Sequence, residues 1–116
     1  MALSKAMRDK VLKRDNNQCW HCQELEAISI QHRQNRGMGG RGKSLDRLDN
    51  LIVLCSSMNL LVESDAGISQ QAKEFGWKLS SWDTFASPVF NANTATWYRL
   101  HPDGTTEIVD PPLYLV

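Results

Sequence analysis

Residues 27–55 read AISIQHRQNRGMGGRGKSLDRLDNLIVLC, and this stretch decides the fold. From Ala27 to His32 apolar and polar residues alternate, and Ile28 and Ile30 are β-branched, so the spacing predicts a short strand with His32 at its end. Residues 33–49 hold four glycines and five Arg or Lys with no apolar period, which predicts an irregular cationic loop. Leu51 to Leu54 is uninterrupted apolar sequence, the pattern of a second, buried strand.

Upstream, residues 3–14 place Leu3, Ala6, Met7 and Val11 at helical spacing, and Asn16-Asn17 stops that helix. Downstream, two helical stretches follow at about 56–64 and 66–75, the second ending at Gly76 as a C-cap. Residues 80–94 are rich in Ser, Asn and Thr and read as an extended surface segment. Trp97 to Leu100 and Glu107 to Val109 flank Pro102-Asp103-Gly104, a hairpin signal. Trp77, Trp82, Trp97 and Tyr98 stand among apolar neighbours and read as packing for that hairpin. His21 reads as a surface residue and His101 as a neighbour of the turn.

The chain has 116 residues, 41% hydrophobic and 22% charged, the composition of one ordinary globular domain. Its apolar runs fall far short of the ~20 residues that cross a bilayer, and its start lacks a signal-peptide core, so a cytoplasmic protein is expected. The formal net charge is zero, yet residues 1–47 carry ten Lys or Arg against five acids and residues 48–116 three against eight. That asymmetry points to a nucleic-acid-facing surface on the N-terminal half.

The three cysteines are an odd number for a disulfide framework, and two of them form Cys19-x-x-Cys22. Cys55 follows after 32 intervening residues, so these thiols suggest a structural Zn2+ knuckle. Met58 stands where a fourth cysteine would complete it, leaving His21, a water or Met58 itself as the remaining ligand. A thioether is a poor zinc ligand beside a thiolate.

Between the cysteines, the order Gln31-His32-Arg33, Leu48-Asp49-Asn50-Leu51 and Met58-Asn59 resembles the HNH endonuclease family in its zinc-knuckle form. The resemblance covers about residues 8–63. The run HRQNRGMGG at 32–40, the Phe75-Gly76-Trp77 helix end and the Trp97 hairpin extend it toward the small stand-alone HNH proteins of tailed bacteriophages.

The fold implied is α+β: a ββα-metal core with an N-terminal helix and a C-terminal β-hairpin. It makes one domain over 1–116, in which 66–116 is an extension. The resemblance also implies a DNA endonuclease or nickase of low sequence specificity. His32 is then the general base, Asn50 fastens the loop, and Gln31 and Asn59 face a catalytic Mg2+ or Mn2+. Gln31 stands where the family carries an acid or histidine, and Asn59 where it carries its last histidine.

The chemistry asks for these residue types in its own right. Hydrolysing a phosphodiester at neutral pH needs a base, for which imidazole is suited. A hard cation stabilises the phosphorane charge and prefers oxygen ligands, which carboxamides offer. Both carboxamides are neutral, so the ion is expected to bind together with the DNA phosphate. Arg33, Arg36, Arg41, Lys43 and Arg47 would grip that backbone. Two other readings compete with the enzyme. One is a DNA-binding accessory protein with a degenerate centre, for example in phage DNA packaging; the other is a structural zinc adaptor.

Overall fold

The computed structural model describes residues 3–34 and 42–112, with residues 42 and 43 by backbone alone. Helix α1 spans Lys5–Arg14 and is capped by Ser4, whose Oγ accepts from the Met7 N–H at 3.1 Å. Asn16 and Asn17 end it at φ 56° and 54°, the left-handed region that Asn tolerates better than most residues.

Strand β1, Ile28–His32, pairs antiparallel with β2, Leu51–Cys55, in a register that sets His32 opposite Leu51 and Gln31 opposite Ile52. Helix α2, Ser56–Ser64, begins directly after β2. Strand alternation then divides the residues. Leu51 and Val53, with Ile28 and Ile30, pack beneath Val11 of α1, whereas Ile52 and Leu54 pack on the opposite face with Met58 and Val62 of α2. Core lies on both faces of the ribbon, which is why Leu51 to Leu54 carries no polar residue.

Helix α3, Ala66–Glu74, is capped by Asp65 and ends where Gly76 takes φ 77°. The expected hairpin is present as β4, Thr96–Leu100, and β5, Thr106–Val109, and it gains a third strand, β3, Val89–Asn91, beside β4. The polar bias of residues 80–94 hid that strand. Phe90 within it stacks on Phe75 at 5.2 Å and packs against Trp97 at 5.2 Å, so two apolar residues suffice to recruit the segment to the core. The protein is thus α+β, with three helices and two small antiparallel sheets among the described residues.

Trp77 and Trp97 pack as expected, at 2% and 7% exposure. Trp82 does not: it is 83% exposed, and its reading as a packing residue is corrected. No helix among the described residues is long and apolar enough to cross a membrane.

Candidate functional site

His32 ends β1 where the ribbon opens toward the loop. Its Nε2 lies 2.8 Å from Oδ1 of Asp46, with side chains 16% and 18% exposed. A carboxylate oxygen accepts, so Nε2 carries the hydrogen of this bond, and in the neutral imidazole Nδ1 is then the basic nitrogen. Sequence reasoning missed Asp46. The signal was present, because Asp46 is the one acid in residues 33–48, a run with five cations.

Asn50 is fully buried. Its Oδ1 accepts from the Gln34 N–H at 2.7 Å, and its Nδ2 donates to the carbonyls of Leu45 at 2.8 Å and Gln34 at 3.3 Å. One side chain therefore ties residue 34 to residue 45. The short helical turn Leu48–Asn50 presents it, and the Arg33 N–H donating to the Asn50 carbonyl at 2.8 Å closes the same junction.

Gln31 and Asn59 do not join His32. Adjacent strand residues face opposite ways, so Gln31 points with Ser29 toward the α2 side while His32 points toward the α1 side. Asn59 lies on the α2 side as well, its Nδ2 donating to Ser29 Oγ at 2.7 Å. Gln31 is 4% exposed and its Nε2 finds no partner among the described residues. The expectation of one pocket in which the imidazole faces both carboxamides is corrected for this reason. As a donor set for a cation beside His32, Gln31 and Asn59 do not fit.

The cationic residues divide. Arg33, expected to grip DNA, is fully buried and spends its guanidinium on backbone carbonyls. Nε donates to Gly76 at 2.7 Å, Nη1 to Asp49 at 3.1 Å and Phe85 at 3.3 Å, and Nη2 to Ser87 at 2.7 Å and Pro88 at 3.4 Å. Its role is corrected to a tie between β1 and the segment before β3. Burial, and secondarily Arg14, pull its pKa down to about 9, so it stays charged at neutral pH.

Arg47 is 43% exposed but held by both oxygens of Asp49, at 2.8 and 2.7 Å, and lies 4.5 Å over the Phe85 ring. Its charge is balanced locally. Arg36, Arg41 and the side chain of Lys43 lie outside the described residues.

The second centre is the cysteine turn. The ligand atoms of Cys19, His21 and Cys22 all lie within 4.8 Å of one another, so the cluster can hold a metal ion such as zinc. Tetrahedral zinc with Zn–S bonds near 2.3 Å sets its ligands about 3.8 Å apart, and only a small contraction separates this cluster from that geometry. Burial pushes the Cys19 thiol up to about 11, against backbone N–H groups of Cys55, Cys22 and His21 that favour the thiolate.

Cys55, expected as the third ligand, stands outside the group: it caps α2, its Sγ accepting from the Met58 N–H at 3.4 Å. His21, read from the sequence as a surface residue and as a possible remaining ligand, is exposed and is the third member of the cluster, with its ring edge-on to Trp77 at 5.4 Å. Met58 is buried in the core.

Comparison with models of protein families, with curated proteins and with solved structures gives no match.

Proposed function

We propose that the chain hydrolyses phosphodiester bonds of DNA, with His32 as general base and Asp46 as the residue that orients it. The observation that carries this reading is the 2.8 Å contact between His32 Nε2 and Asp46. A carboxylate on Nε2 holds the neutral ring in the tautomer whose Nδ1 is the basic nitrogen, the state a base needs to take a proton from water. Asn50 acts at one remove. By tying residues 34 and 45 it keeps Asp46 in reach of His32 and gathers the ends of a segment containing Arg36, Arg41 and Lys43. Those cations would carry the backbone contacts.

A Mg2+ or Mn2+ ion belongs to this reading as the group that would neutralise charge on the scissile phosphate. Because Gln31 and Asn59 lie across the ribbon, a carboxylate oxygen of Asp46 and oxygens of the substrate would hold such an ion. The zinc cluster at Cys19, His21 and Cys22 serves the fold, fastening the chain ahead of β1. A reducing compartment such as the cytoplasm suits three free thiols.

The burial of Gln31 favours one second reading, in which the centre has lost its ion and the domain works as a DNA-binding accessory, for example in phage DNA packaging. Incubation with supercoiled plasmid and Mg2+ or Mn2+ separates the two. Nicked or linear product from the wild type and none from His32→Ala supports hydrolysis. Retention of plasmid without any product from either protein supports the accessory.

A further inference from the structure

Among the described residues, Lys5, Arg14, Arg47 and Lys78 each pair with a carboxylate, and Arg33 is spent on buried carbonyls. Lys10 and Lys13 are exposed on α1, and their ammonium groups make no hydrogen bond or ion pair among the described residues. Both line a hollow of about 400 Å³, together with Arg14, Leu48, Asp103 and Gly104. Residues three apart on a helix are neighbours, their Cβ atoms about 5–6 Å apart, so these two cations can reach one anion or two adjacent ones.

The hollow is fastened to the His32 side of the ribbon. Arg14, in its lining, donates to the Leu48 carbonyl at 2.6 Å and to the Leu51 carbonyl, and Leu51 is the strand partner of His32. Strand alternation sets His32 on the α1 side with Ile28 and Ile30, which pack around Val11. Leu48, also in the lining, lies two residues beyond Asp46. The free lysines and the His32–Asp46 pair therefore share one side of the ribbon.

The charges say what would enter. Arg14 is balanced by Asp15 and holds the fold. Asp103, the one acid in the lining, is held by its own turn, its Oδ1 accepting from the Thr105 N–H at 2.9 Å and the Thr105 hydroxyl at 2.6 Å. Two uncommitted ammonium groups remain, beside Leu48 and the apolar stems of the lysines. A sugar–phosphate backbone offers both counterparts, anionic oxygens for the ammonium groups and sugar carbons for the apolar wall.

Resting on the nucleic-acid reading above, we propose that this hollow is a DNA backbone contact, in which Lys10 and Lys13 hold phosphates of a strand that also meets His32.

Arg8 supplies a control on the same helix. It is exposed and equally without a partner among the described residues, but it is not in the lining. At about 100° per residue it leaves α1 about 160° around the axis from Lys10. A response to charge alone would treat the three residues alike, whereas a backbone seated in the hollow distinguishes them.

The test uses the full chain carrying His32→Ala, so that binding is read without cleavage. Fluorescence anisotropy with a labelled DNA duplex, over a series of salt concentrations, gives affinity and salt slope. Lys10→Ala and Lys13→Ala should each lower the slope by about one and the pair by about two, with affinity at 0.1 M salt falling about tenfold or more in the pair. Arg8→Ala should keep the parent's slope. Both lysines are exposed, so far-UV circular dichroism should show an intact fold in the double variant. In the His32 background, the same pair of substitutions should raise KM for plasmid cleavage with little change in kcat.

An unchanged slope in the double variant, an equal loss from Arg8→Ala, or binding to phosphatidylserine–phosphatidylcholine vesicles without binding to DNA overturns the proposal. Plasmid cleavage with unchanged KM in the double variant would remove this contact and leave the hydrolytic reading standing. Loss of slope in the double variant, with no cleavage by the wild type, would keep the contact and remove hydrolysis.

Discussion

Replacing Arg33 with alanine separates a tie inside the fold from a finger on DNA. In the folded protein the guanidinium is fully buried and its donors are spent on five backbone carbonyls, three of them at 3.1 Å or less. Truncation leaves those buried carbonyls without their donor. An orphaned buried acceptor costs about 1–3 kcal/mol, and removing one member of a buried charged network costs about 3–5 kcal/mol. With the two longest bonds discounted, the three short ones place the loss at about 3–5 kcal/mol.

A domain of 116 residues has about 6–17 kcal/mol of stability in all, so Arg33→Ala should lose a large fraction of it. Arg33→Lys should recover little, because a single ammonium cannot reproduce the planar fork. Urea unfolding followed by far-UV circular dichroism reads both variants. If Arg33→Ala unfolds within 1 kcal/mol of the wild type while losing affinity for DNA, the residue is a DNA contact and the role assigned to it here is wrong.

Three further outcomes follow from the same geometry. Asn50→Ala should cost about 3 kcal/mol in urea unfolding, since it orphans the Gln34 N–H and the Leu45 carbonyl inside the core, and an unchanged midpoint would show that the junction of residues 34 and 45 holds without it. Gly76→Ala should cost about 2 kcal/mol or more by the same assay, because φ is 77° and a Cβ would come within 2.1 Å of the Pro88 oxygen; a neutral substitution would contradict the turn described.

The metal cluster should bind one zinc per chain by elemental analysis, with His21→Ala weakening it and Cys55→Ser leaving it nearly unchanged. At pH 7 the Cys19 thiol, pushed up to about 11, is protonated, so zinc must expel that proton and its affinity should rise about tenfold or more per pH unit. In the metal-free protein the folded state holds this proton more tightly than the unfolded chain. Its contribution is then complete below about pH 9 and lost as pH rises toward 11. A zinc affinity that is flat between pH 6 and 8 would remove Cys19 from the ligand set.

The legible parts of the fold were those with short-range causes. Alternation from Ala27 to His32, the apolar block of Leu51 to Leu54 and Gly76 after α3 each depend on neighbours within a few residues, and each is found where the pattern puts it. Asn50 was legible as a loop fastener only through its resemblance to a motif, since Gln34 and Leu45 are not its strand neighbours. Arg33 was not legible. Its partners at Gly76, Phe85, Ser87 and Pro88 lie 43–55 residues downstream, and no local pattern announces converging carbonyls.

For Gln31 the information was available and the motif overrode it. A period of two already sets Gln31 and His32 on opposite faces. Asp46 was passed over because a lone acid in a basic run looks like dilution, whereas its side chain meets the imidazole. His21 was read both as a surface residue and as a possible remaining ligand; it is exposed, and its ring lies close to the two thiols.

The cleavage rate of Asp46→Asn beside His32→Ala tests the central claim most directly, measured on plasmid DNA with Mg2+ or Mn2+ over a range of pH. The account predicts that His32→Ala abolishes cleavage. It predicts that Asp46→Asn, which cannot hold the imidazole in the same state, lowers kcat about tenfold or more with little change in KM and a shifted pH profile. Both variants cutting at the wild-type rate, with the wild-type pH profile, would contradict it.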